Sequence, residues 1–173
     1  MIYEYDKLIP QIADDAFIAD SAEIIGDVKI GKLSSIWFQA IVRGDIYPIR
    51  IGDYTNIQDN VVVHVQEGKY STEIGSYITI GHHAVIHGAT LEDYAFIGMS
   101  STLLDGVIVR KYGFVAAGAL VPPKFEVPEK TLVAGVPAKI IRKLSDDELK
   151  NIEKSAFKHA ERAKNYSKLL KKL

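Results

Sequence analysis

The sequence predicts an all-β parallel β-helix over residues 1–144, followed by one amphipathic α-helix over residues 145–173. Three observations predict it. Aliphatic residues recur every six positions, small or β-branched residues usually stand four positions after them, and the pattern gives way to a helical one after Lys143.

The repeat runs from Ile18 to Ala138. Ile18, Ile24, Ile30, Ile36 and Val42 are six apart; the phase slips by three residues around Tyr47-Pro48-Ile49 and resumes at Ile51, Ile57 and Val63. A five-residue insertion within Val65–Thr72 precedes Ile74, Ile80 and Ile86, and one residue is dropped before Leu91. From Leu91 the run through Ile97, Leu103, Val109, Val115, Val121, Val127 and Val133 is unbroken. Ala22, Ser34, Ala40, Thr55, Ala84, Thr90, Ala95, Ser101 and Ala119 occupy the accompanying small position. Period six fits neither a 3.6-residue helix nor a long strand of period two. It fits short strands joined by tight corners, three to a coil of about 18 residues, with coils stacked ~4.8 Å apart.

Ser145-Asp146-Asp147-Glu148 reads as a capping box with acidic residues at a helix start. Leu149, Ile152, Ala156, Ala160, Ala163 and Leu170 then form one apolar stripe with Phe157 beside it, which predicts a helix over about 145–171.

The 173 residues suit one domain, and 47% hydrophobic with 25% charged residues is ordinary for a globular protein. A net charge of −1 gives no footing for nucleic acid or an anionic membrane. With no cysteine, disulfides and thiolate metal sites are excluded. MIYEYDKLIP has neither the basic start nor the apolar core of a signal peptide, and no apolar run approaches the ~20 residues of a membrane span. The expected setting is cytoplasmic.

Four of the five histidines fall between positions 64 and 87. His64 follows Val63 and His87 follows Ile86, so both take the outward second position of a repeat. Three repeats separate them once the insertion is set aside. They are therefore expected on one face in adjacent coils, close enough to share a metal. His82 follows Gly81 one repeat before His87, beside a corner, and is not expected to reach that ion within one chain. A closed homotrimer, with the face of one subunit meeting the corner of the next, would bring it there. Three imidazoles and an open fourth position are the pattern of a catalytic metal site. His83 is expected at a turn and His159 on the surface.

Val42-Arg43-Gly44-Asp45, the run Ile51-Gly52-Asp53-Tyr54-Thr55-Asn56-Ile57-Gln58-Asp59-Asn60 through His64, and Ile80-Gly81-His82-His83-Ala84-Val85-Ile86-His87-Gly88 together resemble the γ-class carbonic anhydrases. The similarity covers nearly the whole chain. It implies a left-handed parallel β-helix of hexapeptide repeats with a C-terminal α-helix. It also implies hydration of carbon dioxide to bicarbonate at an intersubunit site. His64, His82 and His87 match the metal ligands. One divalent ion per subunit interface is implied, zinc first, with iron and cobalt also suited to imidazole. Arg43 and Asp45 match an RxD pair and Asp59 its acidic partner, an ion cluster at the trimer interface. Gln58 and Asn56 match polar residues beside the reacting water, and Tyr166 a tyrosine near the site. Two positions depart from the pattern: Ile46 follows Asp45 in place of a glutamate, and the acidic proton-transfer loop is reduced to Val65-Gln66-Glu67-Gly68, leaving Glu67 as its candidate.

Two other classes fit the repeat. Val133-Ala134-Gly135-Val136-Pro137-Ala138-Lys139 is similar to the last coil of hexapeptide-repeat acetyltransferases, which generally use one catalytic histidine and no metal; a metal-dependent thioester hydrolase is a closer rival. A non-catalytic metal-binding or assembly protein is the third reading.

Overall fold

A computed structural model describes residues 1–171; the last two residues of the predicted 145–173 segment, 172 and 173, lie outside the described residues. The chain winds into a parallel β-helix of triangular section closed by one helix, the architecture its period implies. One face carries strands Val62–His64, Val85–His87, Thr102–Leu103 and Leu120–Val121. The second carries Thr72–Ile74, Thr90–Leu91, Ile108–Val109 and Glu126–Val127. The long strands Glu23–Ile30 and Ile41–Ile51 bend round the corner between these faces and join them into one sheet. The third face, from Phe17–Ile18 to Thr131–Gly135, is a separate sheet, ended by the antiparallel strand Ala138–Lys143.

The six-residue phase is the core. From Ile24 to Val133 its aliphatic residues are at most 3% exposed and form one continuous hydrophobic column. Corners turn through left-handed residues three positions after the aliphatic, as at Tyr54, Tyr77, Tyr94 and Tyr112. These four tyrosines stack with centroids 4.8–5.1 Å apart along one corner.

Both insertions stay outside the column. Gly26 pairs with Gly44 and Val28 with Ile49, so Asp45–Pro48 bulge outward opposite the single residue Asp27, with Ile46 and Tyr47 exposed. The second insertion folds back on itself through a Gln66–Tyr70 bridge. The dropped residue corrects one expectation. Thr90 is exposed, and Ala89 takes the buried corner position, because the deletion before Leu91 advances the corner by one residue.

The helix α1 spans Asp146–Leu169 and begins with the predicted capping box, Ser145 and Glu148 each bonding the other's backbone. It lies on the third face. Ile152, Ala156 and Ala163 are buried, Tyr112 donates to Glu153 at 2.7 Å, and Phe157 meets Tyr54 edge-on. Leu170, expected in the stripe, lies beyond the last turn and is 53% exposed. No helix among the described residues is long and apolar enough to cross a membrane.

Candidate metal centre

Adjacent coils bring His64 and His87 into direct register on the first face. Their ring centroids are 5.2 Å apart, and His64 Nδ1 stands 3.2 Å from His87 Nε2. Each ring's other nitrogen meets a carboxylate: His64 Nε2 lies 3.0 Å from Asp45 Oδ1, and His87 Nδ1 lies 2.7 Å from Asp105 Oδ1. An ionised carboxylate only accepts, so both those nitrogens carry the proton. When both rings are neutral, the two facing nitrogens present lone pairs to each other. That arrangement is repulsive unless a cation lies between them.

His82 has the same construction elsewhere. It follows strand Thr79–Ile80 on the third face, at the corner leading to the first, and its Nδ1 lies 2.9 Å from Asp59 Oδ2. This leaves Nε2 as a lone pair on a ring that is 45% exposed. Among the described residues of a single chain, no three His, Cys, Asp or Glu side chains converge as a metal cage. The pair and the third imidazole are thus apart in one chain, and all three are backed by aspartates, the arrangement that fixes tautomer and raises basicity in metal-ligating histidines.

Asp45 also pairs with Arg43, which follows Val42, the partner of Val63, and so stands beside His64. Burial works to raise the Asp45 carboxyl, but hydrogen bonds from His64 and Arg43 outweigh it and hold it below its usual range. Burial lowers His64 below the usual imidazole value, against the opposing hydrogen bond of Asp45 and with help from the Arg43 charge. The net shift favours the neutral ring.

The polar residues matched beside the water sit next to His82. Gln58 accepts from the His82 backbone N–H at 3.2 Å and donates to Asn56 Oδ1 at 3.2 Å. Asn56, 1% exposed, donates to Thr79 Oγ1 and the Ile78 carbonyl. Asn56 thus reaches no open space and fixes Gln58, whose Oε1 has one lone pair left. Asp59 bonds His82 of its own chain. Tyr166 packs edge-on against Trp37, centroids 5.0 Å apart, and lines a small cleft with Gln58, Asp59 and His82. Glu67 is exposed in the insertion hairpin. His83 is exposed at its corner with φ 61°.

Two residues escaped the sequence reading. Asp105 lies one coil beyond His87, and its place 18 residues on was a signal available in the repeat. His159 was expected on the surface; it is instead half-buried on the inner side of α1, with Nε2 3.3 Å from Gln58 Nε2. Gln58 can only donate there, so the His159 proton sits on Nδ1, which is buried without a partner among the described residues.

These observations define a hexapeptide-repeat β-helix protein with two aspartate-backed imidazoles on one face and a third at a corner. No protein-family model matches the chain. The chain is 47% identical over 168 residues to gamma carbonic anhydrase 1, mitochondrial, of Arabidopsis thaliana, and 50% over 157 residues to gamma carbonic anhydrase 2 of the same organism. These matches cover 94% and 88% of this chain but only 61% and 56% of those longer proteins. A carbonic anhydrase of Geobacillus kaustophilus is 41% identical over 169 residues, 98% of this chain and 92% of that protein. The chain belongs to the gamma carbonic anhydrase family. Among solved structures, a Bacillus cereus protein provisionally described as an acetyltransferase superposes with a TM-score of 0.95 at 38% identity, covering 98% of each chain.

Proposed function

We propose that three copies of this chain assemble around three equivalent sites. In each, His64 and His87 of one subunit and His82 of its neighbour hold one divalent metal, zinc first, and the assembly hydrates carbon dioxide. The observation that carries the proposal is the aspartate behind every one of the three imidazoles, which holds one nitrogen of each ring and leaves the other free to ligate. When bound, such a metal activates water at neutral pH.

The chain's residues do the rest. Asp45, Asp59 and Asp105 hold the rings in the ligating tautomer. Asn56 locks the Gln58 amide beside His82, where the free Oε1 lone pair can orient water. The reaction adds water to carbon dioxide and yields bicarbonate and one proton. Glu67, three residues beyond His64 on an exposed turn, is the proposed acceptor of that proton. Arg43 with Asp45, and Asp59, are the proposed charged contacts across the trimer boundary.

Hydration is measured in wild type and in His87→Ala, alongside metal content and solution mass. About one ion per chain, a trimer, and activity lost in the variant support the reading; equal hydration rates would end it. Acyl transfer is the competing reading, favoured by the description of the Bacillus cereus structure. Activity toward an acyl donor in metal-stripped protein would decide for it.

A further inference from the structure

Beyond His82, between α1 and the third face, lies a cavity of about 370 Å³. Carbon dioxide needs a small fraction of it, and the volume is that of a site for an organic ligand. Its floor is apolar. Phe96 and Phe114 pair in register and stack with centroids 4.6 Å apart, and the neighbouring Met99 is 55% exposed. Its rim is polar and carries one cation, Arg162. Ser155, His159 and Arg162 project from one side of α1, and Arg162 lines the cavity with His82. The arginines Arg43, Arg50, Arg110 and Arg142 each pair with a carboxylate. Arg162 pairs with none among the described residues. A guanidinium free for a bidentate anion therefore overhangs a bed of aromatic rings and a thioether.

The geometry points to an amphipathic monocarboxylate as the ligand of this cavity: its carboxylate meets Arg162 on the His82 side, and an apolar tail of roughly four to eight carbons lies on Phe96, Phe114 and Met99. The inference rests on the proposed metal centre only in sharing His82 with it. The site thereby admits acids much larger than bicarbonate and selects them by tail length.

The test is calorimetric titration of the full-length, metal-loaded protein with hexanoate and with acetate. Each buried methylene is worth about fourfold in affinity, so hexanoate should bind at least about tenfold tighter than acetate. Arg162→Gln should weaken both acids by about fivefold or more. Phe114→Ala should weaken hexanoate and spare acetate; if that variant fails to fold, Met99→Ser, at an exposed position, takes its place. Equal affinity for the two acids, hexanoate binding unchanged in Arg162→Gln, or no hexanoate binding up to about 50 mM would each overturn the inference. Hydration of carbon dioxide is recorded on the same samples. Hexanoate binding without hydration leaves this inference standing and removes the other proposal; hydration without hexanoate binding does the reverse.

Discussion

His64 Nδ1 and His87 Nε2 face each other at 3.2 Å while Asp45 and Asp105 hold the far nitrogens. This relationship makes Asp105 testable by itself. Asp105→Asn removes the charge behind His87 but keeps the size. Metal affinity is expected to fall about 10- to 100-fold, with the β-helix intact by circular dichroism. Competition with a chromophoric chelator measures it, and unchanged affinity would remove Asp105 from the site.

The proposed division of the site between subunits has its own signature. A chain carrying His64→Ala and His87→Ala lacks the pair, and a chain carrying His82→Ala lacks the third ring. Each alone should lose tight metal binding. When the two are unfolded together and refolded, boundaries joining the intact pair to the intact His82 should recover ions. Mixed assemblies as empty as the parents would refute sharing across the boundary.

His159 sets a pH dependence. Burial lowers its pKa below the unfolded value of 6.5, and the nearby charge of Arg162 adds to this. The folded state therefore binds fewer protons than the unfolded chain. The contribution is fully present above pH ~6.5 and is lost as pH falls through the lowered folded value. His159→Gln escapes that loss. The gap between wild-type and variant urea midpoints should shrink from pH 7.5 to pH 5.5, and a constant gap would contradict the assignment.

The column should respond to changes in volume and in backbone spacing alike. Ile97 is fully buried, and Ile97→Ala is expected to cost about 2–5 kcal/mol through lost burial and a residual cavity. At Gly98 an added Cβ would stand 2.4 Å from the Ala117 backbone nitrogen in the next coil. Gly98→Ala must push two coils apart, so its denaturation midpoint should fall even though the side chain grows by one methyl. A Gly98→Ala midpoint equal to wild type would show that the coils slide freely.

Much of the site was legible because a strict repeat turns sequence distance into position. Once the insertions are placed, His64 falls beside His87, since parallel coils pair residues one turn apart. Thr90 misled because a single missing residue moves a corner, and spacing alone did not say which residue took the inside. His159 misled because the face a helix buries at its far end depends on what it docks against. Here Trp37 and Gln58 receive it.

The sequence by itself determined the six-residue column, the capped terminal helix, the family, and the three histidines with their neighbours along the coil. Only the tertiary structure decided which carboxylate backs each imidazole, that Asn56 serves Gln58, and that α1 roofs a cavity beside His82. The physical reason is that backbone periodicity is imposed locally at every turn. Hydrogen-bond partners and cavities instead depend on where side chains from distant segments meet.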